Sequence, residues 1–415
     1  MHSTNTLRAA APLAVLIALC AASGCRHVAA VDADAGTDTN PELNLAGVDL
    51  LVVIDNSISM SQEQAILATD LFAFVGSLVS PLPTSAYSAI DDLRIAVVTS
   101  DMGLSSDGVN NDAYWPGDVP PSCVGFGDNG EFQTISVSSV ELTNDVVACD
   151  DTAAQCPPGW TCENTDGDGV GVCHTGGDTL VGCPNQTMPW LETTPEDPDP
   201  NTAARAACLS VQGTGGCGFE QQLASAATGL ARDDQSDFSR EDALLAVLVV
   251  SDEEDCSMRD GQALFGEQEI QDMGSMTVNL ACGRHPEHLF TPSYFYDAFV
   301  SLKQPGAVLF AAIVGVPDHG APADACQGPG DGLGTCLAQD EMQLEEELVA
   351  ATWFFRPACT RSVGETEVTR AYPGRRYVEL ANSLFGGMGY VYSICNEDWS
   401  PAFEAVGAKM AALVQ

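Results

Sequence analysis

The pentapeptide Asp55-Asn56-Ser57-Ile58-Ser59 carries a carboxylate and two hydroxyls at alternating positions. Where a strand leaves a sheet and turns sharply toward a helix, alternate residues face one point. These three side chains can therefore converge as hard oxygen ligands, a donor type suited to Mg2+ or Ca2+. A second acidic element, Asp252-Glu253-Glu254-Asp255, follows the apolar stretch Val247-Leu248-Val249-Val250 and Ser251. An acidic run is ordinarily a solvated loop, but Asp252 closely follows an apolar stretch that reads as a buried strand, which makes it a candidate site residue. Asp101, behind another apolar stretch, is a further candidate contributor. Two other patterns are weaker. Asn164-Thr165-Asp166-Gly167-Asp168-Gly169 matches the first half of a calcium loop, but its twelfth position is Thr175 instead of a bidentate glutamate. Cys162 and Cys173 bracket it, which favours a turn inside a disulfide knot. His285-Pro286-Glu287-His288 offers transition-metal donors, yet its proline opposes a regular helix and favours an exposed loop.

The elements that must position these residues follow from hydrophobic period. Residues 48–54 are nearly all apolar and end in a polar loop, as expected of a strand buried on both faces. A helix should follow, with Ser61 and Gln64 as a capping box and Leu67, Leu71, Phe74 and Leu78 on one face. Further strands are expected at 93–98, 244–250, 307–316 and 390–394. Helices are expected at 219–231, 293–302 and 376–385, and the last begins at Ser400 with Pro401 in its first turn. Strands alternating with helices predict a parallel sheet covered on both faces. Residues 103–216 break the rhythm, being rich in Gly, Asp, Pro and Cys, with only 130–140 strand-like; they read as an insertion on the loop side of the sheet. Residues 319–374 form a second irregular stretch, and no internal repeat is present.

Set between a buried strand and a helix, and joined by Asp252 at a later strand end, the Asp55-Asn56-Ser57-Ile58-Ser59 motif resembles the metal-ion-dependent adhesion site of von Willebrand factor type A and integrin I domains. The order of elements over about residues 45–415 is similar to that fold, with the insertion outside it. The segment Tyr392-Ser393-Ile394-Cys395-Asn396-Glu397-Asp398-Trp399-Ser400 also resembles the ending of secreted lipoproteins of this type from Gram-negative bacteria. The resemblance implies an α/β fold with a doubly wound, mostly parallel central sheet. It implies that Ser57 and Ser59 bind the metal directly, that Asp55 and Asp252 act directly or through water, and that a protein ligand's acidic side chain completes the coordination. It also implies a threonine in a Gly-rich loop before a later helix. Here that loop reads Gly213-Thr214-Gly215-Gly216-Cys217-Gly218-Phe219-Glu220-Gln221, and the threonine position falls on or beside Cys217. Thr214 or Glu220 would substitute; Glu220 would also fill the place of the ligand's carboxylate.

With 415 residues, 45% of them apolar, the chain is long enough for one large α/β domain with insertions. Its 58 acidic and 15 basic residues give a formal net charge of -43, a balance that repels polyphosphate and excludes nucleic acid as an expected partner. Such a surface attracts cations, or serves solubility alone. Arg8, an apolar run from Ala9 to Cys20, and small residues up to Cys25 describe an export signal at 1–24, since a membrane span needs about 20 apolar residues. Ala22-Ser23-Gly24-Cys25 resembles a bacterial lipobox, with Ala22 where leucine is usual, and implies lipidation at Cys25; simple secretion is the alternative. Residues 25–44 read as an acidic tether. Setting aside Cys20 and Cys25, 14 of the 16 cysteines remain. An even, dispersed set in an exported chain predicts disulfides.

These features predict a binding module: a lipid-anchored outer-membrane or cell-surface protein, with a periplasmic or secreted location as the alternative, that grips a protein ligand through Mg2+ or Ca2+. A structural envelope protein with a purely stabilising metal is the alternative. An enzyme is not expected, because none of the six histidines lies near either acidic motif in sequence. A haloacid-dehalogenase-type phosphotransferase would carry a second aspartate where Ser57 stands.

Overall fold

In the computed structural model the described residues are 43–414 other than 44, 84–86, 107–108, 111, 135, 137–147, 150–159, 164–170, 176–187, 274–279, 350–351 and 364–365. The expected export signal, the tether, Cys25 and the Asn164–Gly169 loop lie outside them.

Seven strands make one sheet. In chain order they are β1 Gly47–Ile54, β2 Leu93–Thr99, β3 Leu191–Thr193, β4 Ala243–Ser251, β5 Val308–Val314 and β6 Gly328–Pro329, with Gly389–Ser393 joining last. Two hairpins intervene before that last strand: β7 Glu346–Val349 with β8 Thr352–Phe355, and β9 Cys359–Val363 with β10 Thr366–Ala371. Gly389–Ser393 is therefore β11. The spatial order is β6-β11-β5-β4-β1-β2-β3; the five inner strands run parallel, and the short edges β6 and β3 run antiparallel. The expected strands are observed within two residues at each end.

Alternation along β1 explains the layering. Leu50, Val52 and Ile54 face one apolar layer, Leu51 and Val53 the other. Helix α1 (Ser61–Val79) supplies Leu67, Leu71 and Phe74 to the first layer, where Phe74 stacks on Phe403 of the C-terminal helix at a centroid distance of 4.8 Å. On the second layer lie α3 (Gln222–Ala231), with Leu223, and α4 (Pro292–Val300), with Phe295 and Phe299. Helix α2 (Thr202–Leu209) adds Leu209 to the first layer, α5 (Arg375–Glu379) adds Tyr377 to the second, and α6 is Ser400–Leu413. The sheet is thus α/β and mostly parallel, with helices on both faces. From β1 the chain crosses to β2 on one side, while β4 lies on the other. The carboxyl edge between β1 and β4 is consequently the crevice where such sheets hold ligands.

Four local expectations are corrected. The Ser61–Gln64 capping box does not form: a single 3-10 turn, Ile58–Met60, precedes α1, whose N-cap makes no side-chain bond. The strand expected at 130–140 is absent over 131–134, although Gln133 N donates to Val97 O at 2.8 Å along the β2 edge. Part of the 103–216 stretch belongs to the layers themselves, since β3 extends the sheet and α2 packs on α1. The irregular 319–374 stretch holds the two hairpins, whose polar, short strands carry too weak an alternation to read from sequence.

Candidate metal centre

Register brings the first residues together. Ile54 sits beside Thr99 of β2 and Val250 of β4. The next residues, Ser100, Asp55 and Ser251, therefore leave the sheet side by side. Asp55 is fully buried and held by its neighbours: Ser251 Oγ donates to Oδ2 at 2.6 Å, Gln222 Nε2 to Oδ2 at 3.3 Å, Ser100 Oγ to Oδ1 at 3.3 Å and Ser57 N to Oδ1 at 2.9 Å. The turn then aligns the two hydroxyls. Ser57 Oγ lies 3.2 Å from Ser59 Oγ, which donates to Asp252 Oδ1 at 3.1 Å across 193 residues of sequence. Four of the residues expected at the site are thereby joined in one hydrogen-bonded group.

Gln64 fixes the glycine-rich loop against this turn. Its Nε2 donates to Asp55 O at 3.0 Å and Gly213 O at 2.7 Å, and its Oε1 accepts from Gln212 N at 2.9 Å. Gly216 N donates to Asn56 O at 2.9 Å, and a Cβ at Gly216 would sit 2.2 Å from Asn56 Oδ1, so a larger residue there would have to displace the Asn56 side chain. Cys217 is disulfide-bonded to Cys123, which removes it from metal binding. Thr214 is half-buried and is not among the residues lining the cleft described below. Glu220 is buried and lines the cleft beside Asp252. Asp101 is not among the lining residues; it accepts from Gly103 N at 2.8 Å and lies against Gly127.

The acidic run after β4 divides its work. Asp255 Oδ1 accepts from Leu223 N at 2.9 Å and Ser257 Oγ accepts from Ala224 N at 2.8 Å, satisfying the otherwise unpaired first turn of α3. Asp255 also pairs with Arg376 at 3.0 Å. Glu254 accepts from Arg375 N at 2.8 Å and Arg376 N at 3.2 Å, doing the same for α5. Burial raises the Glu254 carboxyl to about 8. Asp252 and Glu253 are left facing the cleft.

The second hairpin roofs this cleft, whose volume is about 400 Å³ and whose wall includes Phe354, Glu367, Thr369 and Tyr372. Tyr372 N donates to Asp252 O at 2.8 Å. Thr369 Oγ1 donates to fully buried Glu63 in the first turn of α1, and Arg361 pairs with Glu63 at 3.7 Å. The Cys359–Cys395 disulfide ties the same hairpin to the end of β11.

Electrostatics single out this cleft. Burial pushes the Asp55 carboxyl up, against the hydrogen bonds from Ser251, Ser57 and Ser100 that favour its anion. Glu220 and Asp252 stand well above the ordinary carboxylate range, first through burial and then through repulsion from Asp55. Glu253 is raised by burial and by Glu220 and Asp252. Among the described residues none of these four acids is paired with lysine, arginine or histidine. The donor set, carboxylates and serine hydroxyls only, fits a hard divalent cation.

Sequence reasoning missed Ser100, Ser251, Gln222, Gln64, Glu63 and the roof. Ser100 and Ser251 were findable, as polar residues one step beyond strands in register with β1. The others reach the site through tertiary packing. Elsewhere, Glu267, His285, Glu287 and His288 bring one donor atom each within 4.8 Å of one another, a cluster that can hold a metal ion. The segment expected as an exposed loop is a 3-10 turn in which Pro286 and Glu287 are exposed while His285 and His288 are half-buried.

Four disulfides between described residues, Cys123–Cys217, Cys256–Cys282, Cys326–Cys336 and Cys359–Cys395, indicate an oxidising environment. No helix among the described residues is long and apolar enough to cross a membrane. Comparison with known proteins finds no matching family model, no matching curated protein and no matching solved structure.

Proposed function

We propose that the chain is an exported, lipid-anchored binding protein of von Willebrand factor type A-like design, which holds Mg2+ or Ca2+ at Asp55, Ser57, Ser59 and Asp252 and engages a protein ligand there. The observation that carries this reading is the hydrogen-bonded group Ser57–Ser59–Asp252 beside buried Asp55, at the crevice where β1 and β4 part. A bound cation would supply a fixed positive charge able to take an acidic side chain from a partner. Ser251, Ser100 and Gln222 orient Asp55, and Gln64 ties the glycine-rich loop to the turn that carries it. Ile58 is 81% exposed between the two serines and offers such a partner an apolar contact.

Glu220 favours a second reading. Buried inside the cleft, it can occupy the position a ligand's carboxylate would take, leaving the cation as a stabiliser of loops. Anchoring through a lipid on Cys25 rests on the sequence pattern and is checked by the mass of the mature N-terminal peptide.

The test is thermal unfolding with chelator, Mg2+ or Ca2+, alongside capture of partners from envelope extracts. Divalent-dependent stabilisation lost in Asp55→Ala supports the site; identical melting in all conditions overturns it. Capture that disappears with chelator supports a receptor. Stabilisation without chelator-sensitive capture, restored as capture in Glu220→Gln, supports the capped, structural reading.

A further inference from the structure

We propose that Glu267, His285, Glu287 and His288 form a second metal site, for a borderline divalent ion of the zinc type, chemically distinct from the hard-cation cleft. Imidazole nitrogen with carboxylate oxygen is a zinc-like donor set, whereas the cleft offers oxygen alone. The backbone explains why the two histidines meet. Pro286 occupies the first position of a 3-10 turn, Pro286–His288, where its missing N–H costs nothing. That turn has about three residues per repeat, so positions three apart eclipse. The His285 and His288 rings accordingly stack at a centroid distance of 6.1 Å.

The donors already approach the required spacing. Ligands about 2.0 Å from a tetrahedral zinc lie about 3.3 Å apart. His288 Nε2 is 2.9 Å from Glu267 Oε1, and His285 Nδ1 is 3.3 Å from Glu287 Oε1. Each pair has a separation that two ligands of one such ion could take, and one donor atom from each of the four residues falls within 4.8 Å of the others. His285 Nε2 is buried and has no hydrogen-bond partner. Nearby Glu269 pairs with Arg284, which also meets Glu346, and Glu269 Oε2 lies 3.9 Å from His285 Nε2, so a third carboxylate borders the cluster.

The scaffold beneath is fixed. His288 O accepts from Arg259 N at 2.9 Å and Asp260 N at 3.0 Å, Arg259 Nη2 donates to Glu287 O at 2.6 Å, and the Cys256–Cys282 disulfide closes the segment. Glu267 arrives separately, at the C-cap of the short helix Gly261–Gly266. An ion here would clasp the end of that helix, on the segment that continues from β4, to the Pro286–His288 turn that leads into α4.

The experiment is titration of the purified, chelator-stripped chain with Co2+ in excess Mg2+, read by visible absorption and by melting. Expected is a tetrahedral cobalt band saturating at one ion per chain and displaced by Zn2+, with Zn2+ raising the melting temperature. His288→Gln, which keeps a polar partner for Glu267, should weaken cobalt binding by about tenfold or more. His285→Asn combined with His288→Gln should abolish the band while Asp55→Ala retains it. Absence of the band in the wild-type chain overturns the proposal, as does undiminished affinity in the double variant.

Discussion

Uncompensated carboxylates make the residue scale sensitive to pH. Asp70, on α1, is raised to about 6, chiefly by burial, while Trp399 N donates to it at 3.2 Å. Its folded pKa exceeds its ordinary value, so the folded chain binds the proton more tightly and stability falls as pH rises from about 4 to about 6. Asp70→Asn, which can still accept from Trp399, should stabilise the chain by about 1 kcal/mol at pH 7.5 and by nothing at pH 4, as read from urea unfolding. The same sign holds at the cleft, where Glu220 and Asp252 are raised well above the ordinary range by burial and by Asp55. With chelator, acidification from pH 8 toward 5 should therefore raise the melting temperature. With saturating Mg2+ the trend should reverse, because cation ligands must be deprotonated. A parallel trend in both conditions would argue against a cation at these residues. Asp55, Ser57, Ser59 and Asp252 were legible because each stands at the mouth of an apolar strand. Glu63 was not, since its partner Thr369 lies 306 residues away and nothing local marks either.

At the scale of elements, the loop after β4 sets how the helices sit. Asp255 is fully buried, caps α3 and pairs with Arg376, so Asp255→Ala leaves a guanidinium without its partner and should cost about 3 kcal/mol in denaturant unfolding. Glu254→Gln is the contrasting case. With a carboxyl at about 8, Glu254 is mostly neutral at pH 7, and an amide oxygen can accept the same N–H groups. Its loss should stay below about 1 kcal/mol. The strands of this framework were readable because inner parallel strands are apolar throughout. The capping box was misread because the backbone needed one further 3-10 turn, Ile58–Met60, to swing Ser59 toward Asp252, and that turn moved the helix start. Gln64, freed from capping, holds the loop instead.

Across the whole molecule, charge is the dominant collective property. A formal net charge of -43 sets acid against acid over the surface. Several of the few basic residues are spent internally: Lys303 and Arg240 on buried Asp49, Arg376 on Asp255, Arg361 on Glu63. Raising NaCl from about 0.01 M to about 0.5 M, which shrinks the Debye length from about 30 Å to under about 8 Å, should raise the melting temperature progressively. Mg2+ at equal ionic strength should add an increment that Asp55→Ala lacks. The excess of acids was plain in the sequence, but which acids face the cleft was not, since register and hairpin packing select them.

The four consecutive acids after β4 also bear on how this chain can change. They go to three destinations: Asp252 and Glu253 to the cleft, Glu254 to α5, Asp255 to α3. Substituting one alters one destination. Deleting or inserting a single residue there readdresses them all at once, uncapping two helices while emptying the cleft of a ligand. Length, more than composition, is what this segment must keep.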